Sequence, residues 1–208
     1  MISWNLLGIL LWVIIILYLV FIIQNIRKRR ITMIINQHKR FTWPNFILDI
    51  VEVLVLLLAA GYMFSRTFLD NPDLEDSNKI TSSIQYQPLV MKTSVGNSSY
   101  VTIDSRKKKI GSQTYTYYRA GNKVTVSSNA ATVVYGDKAM DISAEKIPYK
   151  ENELKQMDKK YQRAYVAVYT ARYKKNWQNG IGMHAGHIAT RYYLIRIPDP
   201  SFIKQNKK

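Results

Sequence analysis

Three groups of residues in this 208-residue chain have types and spacings that could do chemistry. His184 and His187, in the run MHAGH, stand three apart, a spacing that can place two imidazoles on one metal ion. No acid accompanies them at a recognisable interval and the helical His-Glu-x-x-His pattern is missing. The same letters read as a glycine-rich loop with exposed histidines, and no metal site is assigned. Arg106, Lys107, Lys108 and Lys109 form a run of four cations between two predicted strands. Such a run is the usual composition of a solvated hairpin tip; it is also a grip on phosphate, because clustered cations release counterions when they bind a polyanion. Asp49 and Glu52, three apart and so on one helix face, interrupt an apolar run. Acids in such a position are candidate contacts to another protein's membrane helix, or satisfied residues at headgroup depth.

Other chemistries lack their residues. With no cysteine there is no disulfide, no thiolate nucleophile and no cysteine-ligated metal. Gly-x-Ser-x-Gly, Ser-x-x-Lys and a phosphate-binding glycine loop are likewise missing. The chain reads as a non-enzyme without a cofactor, and a metal-dependent hydrolase built on His184 and His187 is the weakest of the readings considered.

The elements that must position these residues divide sharply. Leu6 to Ile23 is 18 residues without a charge, about 30 Å as a helix, which matches the hydrocarbon core of a bilayer. Nothing basic precedes it and no small-residue cleavage site follows, so it reads as a retained membrane helix and not a signal peptide. A second run, Phe46 to Phe64, is entered through Trp43 and Pro44. Asp49 and Glu52 fall within its first two turns, where a carboxylate costs less than the roughly 2.5–3.5 kcal/mol of the bilayer centre. Between the runs stand Arg27, Lys28, Arg29, Arg30, Lys39 and Arg40 and no acid, which by the positive-inside rule makes this loop cytoplasmic. Both termini are then extracytoplasmic.

Residues 70–78 read DNPDLEDSN, an acidic, proline-bearing stalk. From Ser77 onward 23 Lys and Arg oppose 8 Asp and Glu, a formal charge of about +15, and 13 of the 15 tyrosines fall there. Strands are predicted at Gln85 to Ser94, Tyr100 to Asp104, Gln113 to Tyr118, Lys123 to Ser128, Ala131 to Tyr135 and Ile188 to Ile197. Lys150 to Gln162 carries helical spacing. Ala164 to Tyr173 suits a strand, but tyrosines four apart leave a helix continuing to Trp177 open; Asn179-Gly180 reads as a turn. The expected fold is α+β: two N-terminal transmembrane helices followed by a small antiparallel-sheet domain with one short helix. Its parts are helix 1 (1–24), a basic cytoplasmic loop (25–45), helix 2 (46–65), the stalk (66–78) and a basic extracytoplasmic domain (79–208).

The stretches ISWNLLGILLWVIIILYLVFIIQNIRKRR and YTARYKKNWQNGIGMHAGHIATRYYLIRIPDPSF resemble an uncharacterised family of small membrane-anchored proteins of lactobacilli and related Gram-positive bacteria. The resemblance covers nearly the whole chain and implies a Gram-positive setting, with no functional residue to carry over. The expectation is a two-pass, non-catalytic envelope protein of the cell membrane whose outer domain engages anionic wall polymers or a surface partner. The alternative is an accessory subunit of a membrane complex acting through its helices. An outward domain would not meet nucleic acid.

Overall fold

A computed structural model describes residues 3–37, 41–94, 97–105 and 113–207. They form two compact units, one of Met1–Pro72 with Tyr173–His187, the other of Asp73–Arg172 with Ile188–Lys208.

In the first unit, α1 (Asn5–Gln37) and α2 (Trp43–Phe68) are each long and apolar enough to cross a membrane. Only 11% and 6% of their most apolar windows is buried, unlike the helices of a soluble core. Pro44 lies in the first turn of α2, where its missing N–H costs nothing. The basic segment is not a loop over 25–45, because α1 runs on to Gln37. Arg, Lys, Met and Gln are good helix formers and neither Gly nor Pro interrupts them, so nothing stops the helix where its apolar run ends. At 33 residues α1 is about 50 Å long, some 20 Å more than a hydrocarbon core.

The unit's last piece is Tyr173–His187, which holds a short helix, α4 (Trp177–Ile181). The Asn179-Gly180 pair predicted as a turn lies inside it. Asn176 caps it, its Oδ1 accepting from the Asn179 N–H at 3.0 Å, and Asn179 Nδ2 donates to the Lys174 carbonyl at 2.9 Å. α4 packs on the start of α1 through glycines that have no room for a side chain. A Cβ on Gly180 would run into the Trp4 carbonyl oxygen, one on Gly8 would lie 2.6 Å from that of Ile181, and one on Gly182 2.5 Å from that of Arg66.

The second unit carries two four-stranded sheets. One orders β1 (Ile80–Pro88), β8 (Tyr165–Tyr173), β9 (Ile188–Ile197) and β7 (Ala131–Tyr135); the other orders β10 (Ile203–Lys207), β4 (Val101–Ser105), β5 (Gln113–Arg119) and β6 (Asn122–Ser127). A small hairpin joins β2 (Lys92–Ser94) to β3 (Asn97–Ser99). The α+β class holds, with α3 (Glu151–Lys160) as the domain's short helix. The sheets are mixed and not purely antiparallel: β7 pairs parallel with β9, and β10 parallel with β4. A parallel neighbour needs a long crossover, and the path through α3 and β8 supplies one for β7 and β9. β5 and β6 turn tightly at Ala120 and Gly121, both at positive φ as a two-residue hairpin requires.

The sheets share one core, in which Val166, Val168, Ile195 and Ile197 of the first meet Val101 and Tyr117 of the second. The opposite face of β8 is covered too. Tyr165 donates its hydroxyl to the Leu154 carbonyl at 3.2 Å, and Tyr149 donates to the Ala167 carbonyl at 3.1 Å. Burial on both faces is why Ala164 to Tyr173 shows no clean period; it is a strand that ends before α4.

Candidate functional site

Alternation in the second sheet sends Val101, Ile103, Tyr115, Tyr117, Val124, Val126 and Ile203 to the core, and the residues between them therefore face outward. The registers line up Lys204, Thr102, Thr116 and Thr125 on one rung, and Asn206, Asp104, Thr114 and Ser127 on the next but one. This outer face is thus a hydroxyl-rich surface. Thr116 and Thr125 share a hydrogen bond at 3.1 Å, and Asn206 Nδ2 donates to Asp104 Oδ1 at 3.0 Å. Lys92, from the small hairpin, holds its ammonium 5.1 Å from the centre of the Tyr118 ring and donates to the Tyr118 hydroxyl at 3.3 Å.

A hollow of about 160 Å³ lies among Lys92, Lys123, Lys204, Thr102, Thr116 and Tyr118, with Ser99, Asp104 and Asn206 completing its wall. Its volume corresponds to about five waters. Three lysines line the hollow against one aspartate, whose Oδ1 accepts from Asn206, so the balance of charge around it is positive. Ammoniums and hydroxyls around a small polar space are suited to a phosphate or sulfate group.

Arg106, Lys107, Lys108 and Lys109 lie outside the described residues, in the connection between β4 and β5. Asp49 and Glu52 come together on Arg29. Its Nη2 donates to Glu52 Oε2 at 2.6 Å and lies 2.8 Å from Asp49 Oδ1, an ion contact without hydrogen-bond alignment; Asn25 Nδ2 donates to Glu52 Oε1 at 2.8 Å. Arg29 therefore pins the helix hairpin, whereas Arg27, Lys28 and Arg30 are exposed. Lys39 and Arg40 lie outside the described residues. His184 stacks on Tyr173 with ring centres 5.0 Å apart, while His187 is exposed. Among the described residues no three ligating side chains gather as a metal site.

Two arrangements are invisible in the sequence pattern. Lys92, Lys123 and Lys204 come from separate strands and form no run. Arg196, 0% exposed, forks onto Asp158 at 3.0 and 2.6 Å and donates to the carbonyls of Lys138 at 2.5 Å and Gly136 at 3.2 Å. An arginine alternating with apolar residues in RYYLIRI reads as solvent-facing until α3 is seen to cover it.

Fold and site define a protein with two apolar, membrane-length helices and a two-sheet domain. A family model described only as ":-like" matches residues 3–204, and the chain belongs to that uncharacterised family. No curated protein and no solved structure matches it.

Proposed function

We propose that this chain is a non-catalytic, membrane-anchored envelope protein of a Gram-positive bacterium whose basic domain binds phosphate-bearing anionic wall polymers. The observation that carries this reading is the hollow in which Lys92, Lys123 and Lys204 converge on a hydroxyl-rich sheet face. A repeating polyanion laid on this face exchanges its counterions for ammoniums, and its hydroxyl groups meet the threonine rungs. The formal charge of +16 raises the local concentration of such a ligand. The cations of residues 27–40 favour a cytoplasmic turn between the helices, with both termini and the basic domain outside.

Two measurements test this. Single cysteines placed at Ser77, Ser201 and Asn36 in the cysteine-free chain report the sides of the membrane; an impermeant maleimide should label the first two in intact cells and not the third. The full chain in zwitterionic nanodiscs should bind glycerol-phosphate teichoic acid at low salt. Replacing Lys92, Lys123 and Lys204 by Gln should lower the salt dependence of that binding by about one unit for each lysine that neutralises a phosphate. Absence of binding at low salt overturns the reading.

The accessory-subunit alternative has less support, since Arg29 and Asn25 already occupy Asp49 and Glu52. The hydrolase alternative has less still, with His184 stacked on Tyr173 and His187 apart from any ligating trio among the described residues.

A further inference from the structure

The segment Tyr173–His187 leaves the sheet between β8 and β9 and packs with the helices. Its contacts fix the level at which it lies. Ala185 bonds to Asn5, Gly180 abuts Trp4, and Gly182 abuts the Arg66 carbonyl. Asn5 is the residue before the uncharged run that starts at Leu6, and Arg66 is in the last turn of α2. If α1 and α2 cross a bilayer, as the anchoring reading holds, this segment is at the plane where hydrocarbon gives way to headgroups.

Its side chains suit that plane. Trp177 opens α4 with 54% of its surface exposed, and Trp4 beneath the helix is 44% exposed. An indole left bare on a five-residue helix adds little to a protein core, whereas at a membrane surface its apolar ring and its N–H each find a partner. Lys174 and Lys175 are exposed immediately before it. No acid occurs anywhere from Lys159 to Pro198, so no acid close in the chain neutralises them, and Asp70, which follows α2, accepts from the Tyr173 hydroxyl beside them.

We infer that Tyr173–His187 is an interfacial collar that binds the headgroups of anionic phospholipids, with Trp177 seated at the acyl-headgroup boundary and Lys174 and Lys175 on lipid phosphates. The helices hold the collar at headgroup depth, so the lysines meet an anionic surface without the loss of freedom a tethered peptide suffers.

Single-tryptophan forms of the full chain test this, one keeping Trp12 and one keeping Trp177, with the other tryptophans changed to Phe. Each is reconstituted in bilayers whose acyl chains are brominated near the headgroup, on either a zwitterionic or an anionic lipid. Trp12, two turns inside α1, should be quenched in both. Trp177 should be quenched as well, more strongly when the anionic lipid carries the bromine, and Lys174→Gln with Lys175→Gln should weaken that preference by about fivefold per lysine. Quenching of Trp12 but not Trp177 overturns the collar and leaves the anchoring reading standing. Quenching of neither overturns both, and equal quenching of Trp177 by the two lipids overturns its choice of anionic headgroups.

Discussion

Asn5 and Ala185, 180 residues apart, exchange a pair of hydrogen bonds: Asn5 Nδ2 donates to the Ala185 carbonyl at 3.2 Å, and the Ala185 N–H donates to Asn5 Oδ1 at 2.9 Å. One side chain at the start of α1 thus serves as the backbone partner of a loop that belongs, by chain order, between two strands of the sheet domain. Asn5→Ala leaves both backbone groups of Ala185 without their partners and should make opening of this segment easier by about 1–3 kcal/mol. Hydrogen exchange over residues 177–187 reads the effect, and unchanged protection would contradict it. Gly180→Leu should act in the same direction, since a Cβ there runs into the Trp4 carbonyl oxygen.

Removing Arg29 should loosen the helix hairpin. Arg29→Leu leaves Asp49 and Glu52 as neighbouring carboxylates without their cation, Asn25 still donating to Glu52, for an expected loss of about 1–3 kcal/mol, held below the fully buried figure by their partial exposure. Adding Asp49→Leu and Glu52→Leu should restore most of it. Proteolytic susceptibility of the loop around Thr42 in micelles is the readout, and a triple variant no better than Arg29→Leu would refute the pairing argument.

The Arg196–Asp158 fork makes an asymmetric prediction. Asp158→Ala strands a guanidinium that is 0% exposed and should cost about 3–5 kcal/mol in denaturant unfolding of the full chain. Asp158→Leu combined with Arg196→Met removes both charges and should recover much of that loss. Equal destabilisation by the single and double variants would show that the fork matters for packing and not for charge.

Alkali should unfold this protein through its tyrosines. Burial pushes Tyr117 up to about 12, and burial with the Asp141 carboxylate nearby does the same to Tyr192. Burial raises Tyr149 and Tyr165 as well. Below pH 10 these phenols are neutral in both folded and unfolded chains, so their contribution is intact. Between 10 and about 12 the unfolded chain ionises first and binds fewer protons, so stability falls as pH rises. Phenolate absorbance should lag that of an unfolded control over this interval. Tyr117→Phe should flatten part of the decline. The substitution should be neutral or stabilising by about 1 kcal/mol at pH 7, because the Tyr117 hydroxyl is buried without a hydrogen-bond partner.

Local pattern determined much of this molecule. The uncharged run from Leu6, the proline-led second run, the strands Ala131–Tyr135 and Ile188–Ile197 and the helix near Leu154 follow from hydrophobic period and turn residues, which act over a few positions. Tertiary structure decided what depends on partners distant in the chain. The parallel place of β10 beside β4, the fork of Arg196 on Asp158, and the hollow drawn from Lys92, Lys123 and Lys204 each join residues dozens of positions apart. So does the departure of Tyr173–His187 from the sheet to the helix ends. Its glycines read locally as turn signals, yet what they supply is room for backbone carbonyls more than a hundred residues away. A one-dimensional pattern records which residues prefer burial and which need special backbone angles; which surfaces then meet is set by shape and hydrogen-bond satisfaction in the folded chain.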